Sequence, residues 1–327
     1  MGQEKGELVW HYTNGDALMS ILAKGELWAS SAAFMNDMNE LLSGSIQLRK
    51  HFEDRRQTLS PATIEALEEH IPDVRARSRR SFVLSASSDG DNLTMWRYYG
   101  RDQVSFAIGL DRSERLVPVA RLDGDNHPSP SPDYYKGMYE LDDDGQISTH
   151  PDGSPAVIFD PDSLIVDGGE WARVVYDPER QTKIIVDIFE RLRKGVEGNS
   201  ATHEDGHMRL WFPYLIKESL DLIKNTGFRD EREERIIVWP NPDWKFVFHR
   251  PGPFGLVPYV KLTALGADNR DMYEDRYATK PGRLPIREIR IGPTPYSGEA
   301  VASLKQLLDF HGLHDVKVDY SEIPFRE

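Results

Sequence analysis

The sequence predicts an α+β fold, with a central mixed or antiparallel β-sheet flanked by helices, and three observations predict it. Short β-favouring runs, among them Leu8–Tyr12, Phe82–Ala86, Val104–Leu110 and Val257–Leu262, are scattered from one end of the chain to the other. Other segments place apolar residues at helical spacing, as Ile184, Ile185, Ile188, Phe189 and Leu192 do. No segment repeats another at a fixed period, which argues against a solenoid or a propeller.

Length and composition set the outer limits. A chain of 327 residues fits two average domains or one elaborated core with insertions, and it is read here as one domain over residues 1–327. Hydrophobic residues at 39% and charged residues at 29% describe a chain with enough apolar material for a packed core. The formal charge of −14 argues against sequence-independent binding of nucleic-acid backbones, which needs a basic face. With no cysteine there is no thiol nucleophile, disulfide or thiolate metal site. No apolar run approaches the roughly 18 residues that span a bilayer, and MGQEKGELVW lacks the apolar core of a signal peptide. A cytoplasmic protein with no membrane partner is the expectation.

The first strand is expected over Leu8–Tyr12, with Trp10 and Tyr12 on one face and Val9 and His11 on the other. Thr13 and Asp16 resemble a capping box for a helix through Leu18, Ile21 and Leu22 that Gly25 stops, and a strand Leu27–Ser30 follows. Phe34, Asn36 and Asp37 sit on a polar loop before a helix from about Asn39, and Ser60 with Pro61 opens another. The basic residues Arg75, Arg77, Arg79 and Arg80 approach the strand Phe82–Ala86. A turn over Ser87–Asn92 leads to a short helix capped by Thr94, carrying Met95, Trp96, Tyr98 and Tyr99, and stopped by Gly100. Four large side chains on so short a helix cannot all face one core. Residues 122–155, rich in Asp, Gly, Pro and Ser, read as an insertion or lid. A strand Ala172–Tyr176, a helix from Pro178 and a helix over about Met208–Asn225 fill the middle of the chain. FRDEREERIIVW then begins as alternating charge and ends as a strand. Later strands are expected at Lys245–Phe248, Val257–Leu262, Pro285–Ile291 and Val316–Tyr320, with a helix over about Gly298–Phe310.

Two sets of residues carry candidate chemistry. His11, at a strand end beside the hydroxyls of Tyr12 and Thr13, offers two ring nitrogens to a ligand; a purely structural histidine fits the same position. A strand beginning near Glu231 would align Glu231, Glu233 and Arg235 on one face, which is costly unless the charges are paired or used. A strand-borne glutamate can bind a ribose hydroxyl and stabilise an oxocarbenium ion, or both glutamates can simply pair with nearby arginines. G-x-G-x-x-G, GK[ST], G-x-S-x-G and H-E-x-x-H signatures are absent. A nuclease built on Asp230, Glu231 and Glu233 would need a divalent metal. Asp142, Asp143 and Asp144 are read as solvated loop, and His311 and His314 have no further metal ligands nearby; no metal site is expected.

Several stretches together resemble a bacterial family, domain of unknown function 2971: LVWHYTNGDALMSILAKGELWASS, the following FMND, the segment from Ser85 to MWRYYG, FRDEREERI, and LPIREIRIGP with VDYSEIPFR near the end. Met35 interrupts a strict FND. The order of an HYT strand, a helix leading to GEL, a serine-ending strand with an aromatic helix and a late glutamate strand is also similar to ADP-ribosyltransferases. That resemblance implies a split sheet, NAD as substrate and transfer to an unknown acceptor, a macromolecule among the candidates, in bacterial defence. It implies that His11 and Thr13 hold the adenosine ribose beside Tyr12, and that Tyr98 or Tyr99 stacks on nicotinamide next to Trp96. Ser85 or Ser87 would occupy the second-motif position. Glu231 or Glu233 would bind the nicotinamide ribose, Glu233 being favoured as the deeper in the strand, with Arg235 close by. A nucleotide-sensing module without turnover, in which His11, the aromatic helix and the arginines bind the ligand, is the alternative.

Overall fold

The computed structural model describes residues 7–34, 43–71, 81–100, 104–121, 169–197, 219–240, 243–253, 255–265 and 277–324. Asn36 and Asp37, the arginines at 75–80, the insertion at 122–155 and most of the helix expected over 208–225 lie outside these residues. The architecture is α+β. Eleven strands form one open, mixed sheet among the described residues, antiparallel throughout except where β10 and β11 run parallel.

The sheet is organised around β3 (Phe82–Ser87). One edge of β3 is covered along its whole length by β7 (Glu233–Val238), from Phe82 opposite Val238 to Ser87 opposite Glu233. Two strands share the other edge. At its C-terminal end Ser87 pairs with Trp10 of β1 (Leu8–Asn14), while at its N-terminal end Phe82 and Val83 pair with Ser31 and Ser30 of β2 (Leu27–Ser31). The sheet therefore forks at the middle of β3. One arm runs from β1 to β4 (Ser105–Asp111), β10 (Ile286–Ile291) and β11 (Lys317–Tyr320). The other runs from β2 to β9 (Gly255–Ala264), whose far edge takes both β5 (Leu116–Pro118) and β8 (Val247–Gly252). The two-residue strand β6 (Ala172–Arg173) borders β7.

Both arms contribute to one apolar core. Val9, Leu27, Ala29, Leu84, Ile108, Ile236, Val260 and Ile289 meet there with Leu18, Ile21 and Leu22 of α1 (Gly15–Lys24) and Leu304 and Leu308 of α7 (Ser297–Phe310). A separate helical layer packs Leu48 and Phe52 of α2 (Ser43–Arg55) and Leu67 of α3 (Pro61–His70) on the buried stripe Ile185, Ile188, Phe189 and Leu192 of α5 (Pro178–Glu197). A third cluster seats Met95 and Trp96 of the aromatic helix α4 (Leu93–Gly100) on Trp10 and Tyr12 of β1.

Local differences from the sequence reading have physical reasons. The cap of α1 is Asn14, whose side chain accepts from Ala17 N, so Thr13 remains in β1 and the capping box is not formed. The cap of α4 is likewise not Thr94 but Asn92, whose Oδ1 accepts from the Thr94 and Met95 amides. Lys245 and Phe246 belong to a helical turn, α6 (Asp243–Phe246), and the strand starts one residue later. Most of Ala172–Tyr176 is not strand: after β6 the chain keeps a single bridge, Val175 to Ile223. No helix among the described residues is long and apolar enough to cross a membrane.

Candidate functional site

Strand alternation sorts the charges of FRDEREERIIVW. Cross-strand partners share a face, so the register puts Ser85, Ser87, Glu233 and Arg235 on the side of the sheet away from the main core, and Glu234 and Ile236 on the core side. Strand β7 begins at Glu233 rather than near Glu231. Glu231 instead ends a 3-10 turn, Thr226–Glu231, and Arg232 takes a left-handed conformation (φ 47°) between the two glutamates. Glu234, fully buried, is satisfied separately by Arg112 at 3.2 Å and Arg173 at 2.9 Å.

Glu233 is the hub of the outer face. Its Oε1 accepts from Ser85 Oγ at 2.7 Å and from Arg235 Nε at 2.8 Å, and its Oε2 accepts from Arg235 Nη2 at 2.8 Å and Lys224 Nζ at 3.0 Å. A carboxylate offers about four acceptor positions, and all are taken. Burial raises the Glu233 carboxyl, but the charge and hydrogen bonds of Arg235, then Lys224 and Ser85, outweigh it and hold the group at about 2. Arg235, 1% exposed, also donates Nη1 to the Asp221 carbonyl at 2.6 Å. Lys224 has a second partner, Glu231 Oε2 at 2.7 Å. Burial pulls the lysine down, yet the Glu233 charge and the Glu231 hydrogen bond leave it above the ordinary lysine range.

The two glutamates therefore differ. The side chain of Glu233 is 5% exposed and that of Glu231 17%, and among the described residues Glu231 Oε1 has no hydrogen-bond partner. Above them stands Tyr99, 41% exposed, whose hydroxyl is raised by burial and then by the charges of Glu233 and Glu231. The Tyr176 hydroxyl accepts from the Glu233 amide at 3.0 Å and is pushed up to about 12, chiefly by burial.

His11 occupies the fork. Where neither β1 nor β2 reaches the middle of β3, the Ser85 carbonyl has no strand partner and accepts from His11 Nδ1 at 2.9 Å instead. A carbonyl only accepts, so Nδ1 carries the proton and Nε2 keeps its lone pair. Burial lowers the His11 pKa against the opposing effect of this bond, so the ring is neutral at neutral pH. Ser85 thus touches His11 through its backbone and Glu233 through its side chain.

No family model, curated protein or solved structure matches this chain.

The other residues singled out in the sequence are placed as follows. Tyr12 is 1% exposed; its hydroxyl donates to the Asp89 carbonyl at 2.7 Å and accepts from the Asn92 amide at 3.0 Å, closing the turn before α4. Ser87 Oγ donates to the Glu231 carbonyl at 2.7 Å and accepts from the Asp89 amide. Trp96 donates Nε1 to Asp91 and lies edge-on to Tyr12, with ring centroids 4.7 Å apart. These three side chains hold the scaffold together. Thr13 shares the His11 face of β1 and is buried. Tyr98 is 58% exposed and has no ring partner among the described residues, whereas Tyr99 lies 6.3 Å from Tyr12. Among the described residues no group of three or more His, Asp or Glu is set to hold a metal ion, and Lys224 bridges the carboxylates of Glu231 and Glu233. His314 pairs with Asp309.

Lys224, Asp221 and Tyr176 were not anticipated from the sequence. One signal for the lysine was available: two carboxylates beside a core strand demand a second cation besides Arg235, and Lys224 precedes Glu231 by seven residues.

Proposed function

We propose that this protein is an NAD-cleaving transferase of the ADP-ribosyltransferase kind, in which Glu231 engages the nicotinamide ribose and Glu233 positions it. The observation that carries the reading is the unequal state of the two carboxylates: Glu233 has no acceptor position left, while Glu231 keeps Oε1 at the rim of the same cluster. Departure of nicotinamide leaves positive charge on the ribose. A fixed, ionised carboxylate stabilises that charge without a strong nucleophile. Lys224, itself anchored by Glu233, orients Glu231. The Tyr99 ring is suited to stack on nicotinamide; His11 lies on the Val9 face of β1, opposite the face that Trp10 shares with Ser87 and Glu233, and its Nε2 would meet a ribose hydroxyl only through the gap of the fork. The glycosidic C–N bond breaks with its electron pair leaving on nicotinamide, and a heteroatom of the acceptor bonds the ribosyl carbon and gives up its proton to solvent.

Saturation of Glu233 favours a second reading, a nucleotide-binding module that breaks no bond. Mass spectrometry of free nicotinamide after incubation with NAD separates the two. The enzymatic reading expects release by wild type and a loss of about 10²-fold or more in Glu231→Gln, the scale of removing one preorganised electrostatic contact. Equal release from wild type, Glu231→Gln and Glu233→Gln would overturn it. NAD binding with no release by wild type would select the binding module.

A further inference from the structure

The arm of the sheet beyond the fork carries a second constellation on its outer face. Trp28 of β2 and Tyr259 of β9 stack with centroids 4.4 Å apart, and Phe248 of β8 continues the row at 5.8 Å from Tyr259. Cations lie against these rings. Arg121 sits 4.5 Å from the Phe248 centroid, Lys261 sits 4.5 Å from the same ring, and Arg250 lies 6.0 Å from Trp28. Glu26 is committed to Lys261 at 3.3 Å and to Trp28 Nε1 at 3.1 Å.

The two arginines lack anionic partners among the described residues. Arg250 donates Nη2 to Ser30 Oγ at 3.2 Å, and neither guanidinium has a carboxylate partner among the described residues. The Nε of each is withdrawn from solvent with no hydrogen-bond partner. A buried guanidinium donor left unmet is costly unless something supplies an acceptor. Trp28, Tyr259 and Phe248 form one continuous row of rings, with Arg250 against one end and Arg121 against the other. In a chain of net charge −14, two uncompensated arginines and a lysine held against aromatic faces form a local anion trap.

We propose that this face binds the phosphoryl group of a small phosphorylated ligand, a diphosphate such as that of a nucleotide, with Arg121 and Arg250 as its two forks. Arginine forks match phosphate oxygens two at a time, and the acidity of the whole molecule selects a compact anion over an extended nucleic-acid backbone. The assignment does not depend on the NAD-cleavage reading.

Calorimetric titration of the full chain with inorganic pyrophosphate, ADP and uncharged adenosine tests it. Wild type should bind pyrophosphate and ADP but not adenosine. Arg121→Gln/Arg250→Gln should lose affinity for both anions at least tenfold while melting, without ligand, at or above the wild-type temperature, since the substitution relieves two unmet charges. Should that variant fail to fold, Arg121→Lys and Arg250→Lys keep the charge but remove the fork, and each should weaken pyrophosphate binding severalfold. Undetectable binding by wild type, or affinities unchanged in the arginine variants, would overturn the assignment. So would a single-stranded oligonucleotide that binds more tightly than pyrophosphate through the same two arginines.

Discussion

Replacing Glu233 by glutamine keeps the shape of the side chain and removes only its charge. The expected loss is worked from the carboxyl, which stands at about 2 in the folded protein against an ordinary 4.5. At about 1.4 kcal/mol per unit, that gap corresponds to about 3 kcal/mol of folding stability. Breaking a buried ion pair while leaving its partners in place costs about 3–5 kcal/mol, and here Arg235 and Lys224 both stay behind. The sign follows from the depression: this stability is fully present above pH 4.5 and is lost as pH falls through about 2. Urea denaturation followed by tryptophan fluorescence should place Glu233→Gln about 3 kcal/mol below wild type at neutral pH, and the gap should narrow as pH drops below 4.5. A variant within about 1 kcal/mol of wild type at neutral pH, or a gap indifferent to acid, would refute the view that the charge of Glu233 organises the outer face.

Two further perturbations test the fork and the turn beside it. His11→Leu strands the Ser85 carbonyl and should cost about 1–3 kcal/mol. Because burial depresses the imidazole below 6.5, wild type should also lose stability as pH falls from that value, and denaturation curves of the variant should show a shallower slope, the remainder coming from His51, which burial lowers too. Gly90→Ala would set a methyl group 2.4 Å from two ring carbons of Trp10, and thermal melting should report a loss of about 1–3 kcal/mol with altered tryptophan emission.

Elements whose signals are local were legible in the sequence. The strand β1 with its two faces, α1 ending at Gly25, the inward stripe of α5 and the aromatic helix all follow from periodicity and turn chemistry. The neighbourhood of Glu231, Glu233 and Arg235 was legible for the same reason, since charges on a core strand need an explanation. The fork was not derivable from pattern alone. It depends on two strands far apart in the chain choosing opposite ends of one edge of β3, and neither strand's composition records that choice. The kink at Arg232 was equally hidden, because a straight strand and a left-handed break leave the same run of charged residues. Alternation counted from Glu231 grouped the right side chains, but only Glu233 and Arg235 share the strand, and Lys224 brings Glu231 to them. A hydroxyl near a strand end reads from sequence as a ligand group, and those of Tyr12 and Ser87 also tie down a turn.

A sheet that divides at one strand has no independent halves. Both arms hang their innermost hydrogen bonds on β3 and interdigitate their apolar residues in a single core, so neither can melt while the other stays intact. Amide protons of β4 and β9, on opposite arms, should exchange with solvent through a common opening event.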